Sequence, residues 1–348
     1  MTRKPRSVLL ALLLVLCMGL AACSQPAGGD IPLTEKTVYG CQPQSVLSVF
    51  DNSFAIASER GDCIFYKSMA TGGLMRAGRD MSSPTLLAQG QITGIGFEDG
   101  SLFYARVIED ETSQRSELVR ADARGENPQV IFSTERAIRQ MLIVDRLIYF
   151  VAYNEESCEL WRCNLKGQSR ITVAGDTLGV GDYTLGQNTV YFNMVWAEEL
   201  RDYSTYRCGI AGAGLALTGF RRGGSFFFAG DSLYSVVPYG DDQVMLEALD
   251  PQEETDEPYL LEAGGSMVSA LWFSEQYLYF ALPGSRNLAR LDLESRAVEE
   301  LYADEEEGCF TGIAMAAGRL VLCDSQGRQY TALPGEGMTL TPLEETAV

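Results

Sequence analysis

The chain contains no histidine, which limits the chemistry that its side chains can perform. Ser-His-Asp and Cys-His catalysis and histidine-ligated metal sites are excluded, and the usual general base at neutral pH is missing. Carboxylates are abundant, with 47 Asp and Glu residues. Two carboxylates can together hydrolyse a glycosidic bond, but so many acids place some of them side by side by chance. We therefore expect no identifiable catalytic residue and no cofactor, and a carboxylate-dependent carbohydrate-active enzyme is the alternative function.

The most specific chemical signal is Cys23, at the end of an N-terminal targeting segment. Basic residues precede an apolar run at residues 8–16 that is too short to span a bilayer, and the small residues before Cys23 match the bacterial lipobox. An ordinary secretory signal or an anchor helix is the alternative. We predict a lipoprotein signal peptide over residues 1–22 and a diacylglyceryl group on the Cys23 thiol. This lipid would anchor the protein on the extracytoplasmic face of a bacterial membrane.

The remaining cysteines give a weaker signal. Without Cys17 and Cys23 seven are left, an odd number, so at least one is unpaired in a monomer. Cys309 and Cys323 lie symmetrically about a turn near residues 316–317 and could face each other within disulfide reach. No CxxC pair occurs, so we expect no zinc site of that type and no other metal site.

Acidic and aromatic residues are interleaved in several polar segments in the middle of the chain. The candidate ligand-binding residues are Tyr153, Glu155, Trp196, Tyr203, Tyr239 and Asp241. Rigid rings bury area at little entropic cost and carboxylates accept hydrogen bonds, so the combination suits a protein, peptide or glycan. The alternative is that these segments are simply polar and solvated. Calcium bound among the acids is a further alternative, although no D-x-D-x-D loop appears.

A recurring hairpin must position these segments. Its cleanest copy, residues 146–167 (RLIYFVAYNEESCELWRCNLKG), has two apolar runs around a polar segment and ends on Asn and Gly, which tolerate the positive φ of a turn. The first apolar position of the copies falls at Phe54, Leu102, Leu147, Val190, Leu233, Leu278 and Leu320. A cation occupies the third position of the second run in five copies, namely Lys67, Arg120, Arg162, Arg207 and Arg290.

Apolar stretches precede each hairpin and usually follow it, which gives four strands per period of roughly 40 to 50 residues. This pattern is typical of a β-propeller, and seven copies predict seven four-stranded blades over about residues 45–343. A tandem pair of β-sandwiches is the rival, but it would not by itself repeat one hairpin throughout the chain. In a propeller the loops after each second strand emerge on one rim, which would bring the candidate residues together.

The aromatic second strand (IYF, VYF, LYF) followed by L-x-R-x-D/N-x-x-G resembles the YWTD-type propellers of low-density lipoprotein receptors and their bacterial lipoprotein relatives of unassigned function. The chain departs from that family after the aromatic, where residues 150–152, 192–194 and 280–282 replace Trp-Thr-Asp. No binding residue of the family can therefore be carried over. The resemblance implies a binding platform rather than a reaction.

Residues 23–30 are small and polar, as in a flexible tether, and residues 31–348 are predicted to form a single domain. A net charge of −20 becomes more negative when the signal peptide, with Arg3, Lys4, Arg6 and no acid, is removed. This charge disfavours nucleic acid and anionic lipid surfaces and favours cationic or neutral partners. We therefore expect a monomeric, lipid-anchored binding or scaffold module on the cell surface.

Overall fold

A computed structural model describes residues 56–343, apart from residues 110–113, 176–178, 187, 195–204, 219–224, 230–231, 240–242, 250–255, 263–269, 275, 283, 285 and 305–307. The regular elements within these ranges are 28 β-strands. No described segment forms a helix with the length and apolarity needed to cross a membrane. The described residues all belong to one compact unit. The predicted signal peptide, Cys23, the tether and a possible extra strand at residues 36–39 lie outside the described residues.

The strands form seven four-stranded sheets, numbered here in chain order. Sheet 1 contains β1 (Ala57–Arg60), β2 (Cys63–Lys67), β3 (Leu74–Gly78) and β4 (Thr85–Ala88), and sheet 2 contains β5 (Gln91–Glu98), β6 (Ser101–Glu109), β7 (Gln114–Asp122) and β8 (Gln129–Thr134). Sheet 3 contains β9 (Ala137–Val144), β10 (Leu147–Tyr153), β11 (Cys158–Asn164) and β12 (Ile171–Ala174), and sheet 4 contains β13 (Val180–Gly186), β14 (Thr189–Met194), β15 (Thr205–Gly209) and β16 (Ala216–Leu217).

The remaining strands follow the same order. Sheet 5 contains β17 (Ser225–Ala229), β18 (Ser232–Tyr239), β19 (Gln243–Leu249) and β20 (Asp256–Glu262). Sheet 6 contains β21 (Ala270–Phe273), β22 (Tyr277–Ala281), β23 (Leu288–Asp292) and β24 (Val298–Tyr302). Sheet 7 contains β25 (Phe310–Ala316), β26 (Arg319–Asp324), β27 (Gln329–Ala332) and β28 (Thr341–Pro342).

The sheets are arranged as the blades of a β-propeller, as predicted. Each consists of four consecutive antiparallel strands, and the first strands contact one another from sheet to sheet, including β1 with β5, β5 with β9, and β25 with β1. The first strands are therefore innermost and the fourth strands outermost. The contact between β25 and β1 closes the ring. This closure joins sheets 7 and 1 without an exchanged strand among the described residues.

Apolar side chains on both faces of each sheet fill the junctions between sheets. Strand β10 illustrates the consequence, since Phe150, Val151 and Ala152 in succession are fully buried instead of alternating with polar residues. Between sheets 2 and 3 the ring of Phe150 lies 5.7 Å from that of Phe132 and 6.0 Å from that of Trp161. Such continuous apolar runs are what made the repeat visible in the sequence.

The ring seam is the junction of sheets 7 and 1. The Gln329 side chain donates to the carbonyl of Lys67 at 2.7 Å and accepts from the backbone N–H of Met69 at 3.1 Å. Apolar residues of both sheets, including Ile64, Met75 and Val321, pack against one another beside this pair of bonds. One amide side chain and a shared core therefore hold the two ends of the ring together.

Six of the seven predicted hairpins have the expected second and third strands, with Leu102, Leu147, Val190, Leu233, Leu278 and Leu320 on second strands. The prediction for the first hairpin was wrong. Phe54 lies outside the described residues, and Phe65 lies on the second strand, β2, instead of the third. The segment Cys63–Lys67 follows a Gly-Asp turn and carries the aromatic pair, so it matches Ser101–Glu109 rather than a third strand. The true third strand is β3, whose Arg76 replaces Lys67 as the repeated cation.

The repeated cation lies opposite the aromatic residue of the second strand. Arg120 pairs in register with Phe103, with its guanidinium carbon 5.9 Å from the ring centre. Arg290 pairs with Tyr279 and hydrogen-bonds its side chain. The repeat therefore encodes a cross-strand contact that fixes the hairpin.

The Asp or Asn and the Gly that end the repeat form the turn into the fourth strand. The Asn164 side chain accepts hydrogen bonds from the backbone N–H groups of Lys166 and Gln168, both at 2.9 Å. Gly167 has a φ of +73°, and a Cβ there would lie 2.0 Å from the carbonyl oxygen of Ile131 on β8. This glycine is required both by the turn and by close packing against the preceding sheet.

Candidate binding face

Connections between second and third strands, and those between successive sheets, emerge on one side of the ring, called here the loop rim. Connections between first and second and between third and fourth strands form the opposite turn rim. This follows from the antiparallel order of each sheet. The predicted binding residues belong to the loop rim.

The structure places two of the six predicted binding residues with their side chains. Tyr153 ends β10 and is half-buried, and Glu155 is exposed in the following loop. Tyr239 ends β18, where its backbone pairs with Gln243, but its side chain lies outside the description. Trp196, Tyr203 and Asp241 fall outside the described residues. A shared surface of all six therefore stays a prediction.

Tyr153 supports a buried cation. The guanidinium carbon of Arg139 lies 5.1 Å from the centre of the Tyr153 ring, and Arg139 is only 3% exposed. The same guanidinium donates to the carbonyl of Val180 in sheet 4 at 3.3 Å. Burial raises the pKa of Tyr153. One face of this ring therefore helps to join sheets 3 and 4, which leaves less of it for a ligand.

A second, partly buried cluster lies at the junction of sheets 2 and 3. Arg136, in the connection between them, forms an ion pair with Glu159 at 2.6 Å and lies 5.0 Å above the Trp161 ring. Trp161 donates its indole N–H to Glu159 at 2.7 Å, and Arg170 covers Trp161 at 4.1 Å. Burial acts to raise the pKa of Glu159, but hydrogen bonds from Arg136 and Trp161 leave it lowered. Glu159 is therefore an ionised structural anion at neutral pH.

Ion pairs with one buried partner recur at two other positions of the loop rim. In sheet 2, the buried Glu117 accepts from the half-buried Arg106 at 2.7 Å and pairs with the exposed Arg115 at 3.2 Å. Between sheets 6 and 7, the 3% exposed Arg286 pairs with Asp304 at 3.0 Å. These charges carry fixed partners and stiffen the rim. Sequence reasoning missed them, because an arginine in a loop gives no signal that it folds back into a junction.

The exposed charges that remain on the described loop rim of sheets 2 and 3 are mainly carboxylates. Glu109, Glu155 and Glu156 are exposed. The loop that carries Glu155 and Glu156 is fixed by Asn154, whose side-chain oxygen accepts from the backbone N–H and the hydroxyl of Ser157. A short, ordered loop therefore presents two adjacent acids to solvent.

Inner-strand bulges place polar groups beneath this acidic edge. Thr93 and Gln140 lie at bulges of β5 and β9, and the close contact of Gly94 with Met141 puts them at the same level. Gln140 donates to the Asp182 carboxylate of β13 at 2.5 Å. A polar contact therefore crosses from sheet 3 to sheet 4 on the inner strands, while the Thr93 hydroxyl of sheet 2 is buried without a hydrogen-bond partner among the described residues.

The described carboxyl group with a raised pKa lies on the other rim. Burial and the neighbouring carboxylates Asp99 and Asp145 raise the pKa of Glu98, at the end of β5. Arg146 neutralises part of this charge through an ion pair with Asp99 at 2.9 Å. The feature that most resembles a glycosidase acid is thus separated from the exposed acids of the loop rim.

The predicted disulfide is not formed. Cys309 and Cys323 are not bonded to each other, because the turn lies at residues 317–318, with Ala316 opposite Arg319, and this register places Cys323 opposite Gly312, while the backbone of Cys309 bonds that of Ser325. The turn therefore lies slightly later than the predicted residues 316–317, and the partner of Cys323 falls three residues away from Cys309. No cluster of three potential metal ligands occurs among the described residues.

No protein-family model matches the chain, and no curated protein matches it significantly. Among solved structures, a puromycin-hydrolysing peptidase from Mycobacterium tuberculosis is 12% identical with a TM-score of 0.56, over 83% of this chain and 51% of that one. An oligogalacturonate lyase from Vibrio parahaemolyticus is 11% identical with a TM-score of 0.53, over 81% of this chain and 82% of that one.

A chain of a nidogen/laminin complex is 15% identical with a TM-score of 0.49, over 71% of this chain and 94% of that one. At such identities the likeness to the peptidase and the lyase concerns the fold alone. The chain is therefore an all-β propeller of four-stranded blades, and its function must be inferred from its own side chains.

Proposed function

We propose that this protein is a lipid-anchored, extracytoplasmic binding module whose loop rim holds a cationic segment of a protein or peptide. The observation that carries the proposal is the pair of exposed carboxylates Glu155 and Glu156 on an ordered loop, with Glu109 on the neighbouring sheet. Exposed acids of one sign at the edge of a rigid platform attract a cation and fix its position.

The buried arginines support this function. Arg106, Arg136 and Arg139 are held by acids, carbonyls and rings, and the exposed Arg115 is paired with Glu117, so these cations are already engaged and do not neutralise the exposed acids. The platform is also pre-organised, so binding loses little conformational freedom. The net charge of −20 adds a long-range attraction for cationic partners.

The test is a charge reversal on the loop rim. Octalysine is titrated calorimetrically into the soluble domain and into the double variant Glu155→Lys/Glu156→Lys at low salt. We expect about a tenfold weaker Kd in the variant, since two exposed ion pairs are each worth up to about 1 kcal/mol. The matched control is Glu294→Lys/Glu300→Lys, which changes the net charge equally at exposed positions of sheet 6 away from the loop rim.

The control should weaken binding less than about twofold. Equal losses in both double variants would show that only the overall charge matters and would contradict a rim site. Binding or cleavage of a neutral oligosaccharide such as cellohexaose, without octalysine binding, would favour the carbohydrate-active alternative.

A further inference from the structure

The ring seam contains a groove on the turn rim. It has a volume of about 670 Å³ and lies between the turn into β4 of sheet 1 and the outer strands of sheet 7. Its lining includes Asp80, Met81, Ser82, Pro84, Thr331 and Leu343. This volume falls within the range of sites for small ligands and peptide side chains.

Asp80 gives the groove a fixed negative charge. Its Oδ1 accepts from the Ser82 hydroxyl at 2.5 Å and from the Ser82 backbone N–H at 3.0 Å. The hydrogen bond from the Ser82 hydroxyl has the largest effect and, with that from the Ser82 backbone, holds the pKa of Asp80 below its usual value. Its second carboxylate oxygen has no hydrogen-bond partner among the described residues, so it is available to a donor from outside.

The rest of the groove is amphipathic. Met81, Pro84, Pro342 and Leu343 provide apolar surface. Thr331 is only 3% exposed, and its hydroxyl oxygen is buried without a hydrogen-bond partner among the described residues. A donor that reached this wall would therefore gain a bond that the free protein lacks.

We propose that the seam groove binds a lysine or arginine side chain of an extended peptide. The methylene stem would lie against Met81, Pro84 and Leu343, as long basic side chains do along apolar surfaces. The charged head would donate to the free oxygen of Asp80. The groove is on the rim opposite Glu155 and Glu156, so it is a second site whose test is independent of the proposed function.

The experiment uses a blocked tripeptide, acetyl-Ala-Lys-Ala-amide, and its norleucine analogue, which keeps the apolar stem without the charge. Binding is followed by NMR of methyl-labelled methionine, with Met81→Leu identifying the Met81 signal among the 11 methionines. The lysine peptide should shift the Met81 signal and bind about fivefold more tightly than the norleucine peptide, the upper range for an exposed ion pair.

Asp80→Asn should abolish this preference. The control Asp62→Asn removes an equal charge from an exposed aspartate on the same rim of sheet 1 that does not line the groove, and should retain it. Equal affinity for both peptides, a shift at methionines other than Met81, or equal effects of the two variants would overturn the proposal. A Met81 shift with chitotriose and none with the lysine peptide would assign the groove to glycans instead.

Discussion

Arginine side chains determine the chemistry beneath the loop rim. Arg139 and Arg286 are each only 3% exposed, and Arg136 pairs with Glu159 at 2.6 Å. A guanidinium stays charged in this setting and can satisfy several acceptors at once. These residues therefore replace apolar packing at junctions where loops and strands meet.

Buried thiols make a testable contribution at the same scale. Burial raises the pKa of Cys163 to about 12 and that of Cys208 to about 11. The ordinary pKa of a thiol is 9.0. At a pH between 9.0 and the raised pKa values, the thiols of the unfolded chain lose their protons, whereas those of the folded chain keep them. The free energy of unfolding should therefore be unaffected by these thiols below pH 9 and should fall as pH rises above it, by up to about 1.4 kcal/mol per pH unit for each.

Urea unfolding between pH 8 and pH 11 measures this effect. The comparison concerns the slope of stability against pH, because Cys163→Ala also loses packing at every pH. Cys163→Ala and Cys208→Ala should each give a shallower alkaline decline than the wild type. A wild-type slope in both variants would show that other groups cause the alkaline instability.

At the scale of elements, the terminal glycine of the repeat joins neighbouring sheets. A Cβ on Gly167 would lie 2.0 Å from the Ile131 carbonyl, whereas one on Gly100, with a similar φ of +71°, would meet nothing within 4 Å. Gly100→Ala should cost about 1 kcal/mol from backbone strain alone. Gly167→Ala should cost roughly 3 kcal/mol, because the β8 backbone must also move.

Thermal and denaturant unfolding of the two variants would check this difference. Equal destabilisation would mean that the turn into β12 can move away from sheet 2 at little cost. The contact would then be a consequence of the repeat and not a reason for its glycine.

Much of the architecture could be predicted because both faces of each sheet are buried. Second strands such as β10 and β22 read as apolar and aromatic runs, and turn residues follow at a fixed distance. Sheet 1 was misaligned because its hairpin begins with Cys63-Ile64-Phe65-Tyr66, close to an earlier aromatic, Phe54. The segment Cys63–Lys67 also lies a short distance before sheet 2, so it resembles a third strand although it is a second strand.

The candidate site was less predictable. Exposure of Glu155 follows from its place in a polar loop, but the partner of Tyr153 does not follow from any local pattern. Arg139 contacts Tyr153 on the neighbouring strand of sheet 3 and reaches Val180 only because sheets 3 and 4 meet there. The seam groove could not be predicted from the sequence, because Asp80 of sheet 1 and Thr331 of sheet 7 come together only when the ring closes.

At the scale of the whole molecule, the proposed anchor determines where the ring acts. If the Cys23 thiol carries the lipid, Cys23→Ser should move the protein from the membrane fraction into soluble or uncleaved form. Cys17→Ser, within the predicted signal peptide, is the matched control and should remain membrane-bound. Fractionation with a mass measurement of the mature chain checks both variants, and a processed, membrane-bound Cys23→Ser product would rule out this anchor.

The seam has a consequence for the connectivity of the chain. Each described sheet is built from four consecutive strands, and sheets 7 and 1 meet through the Gln329 side chain and a shared core, with no exchanged strand among the described residues. The seam is thus held, like the other junctions, by contacts between side chains of neighbouring sheets. A circular permutant that is linked across the seam and cut between two other sheets would keep every sheet intact and merely relocate the ends.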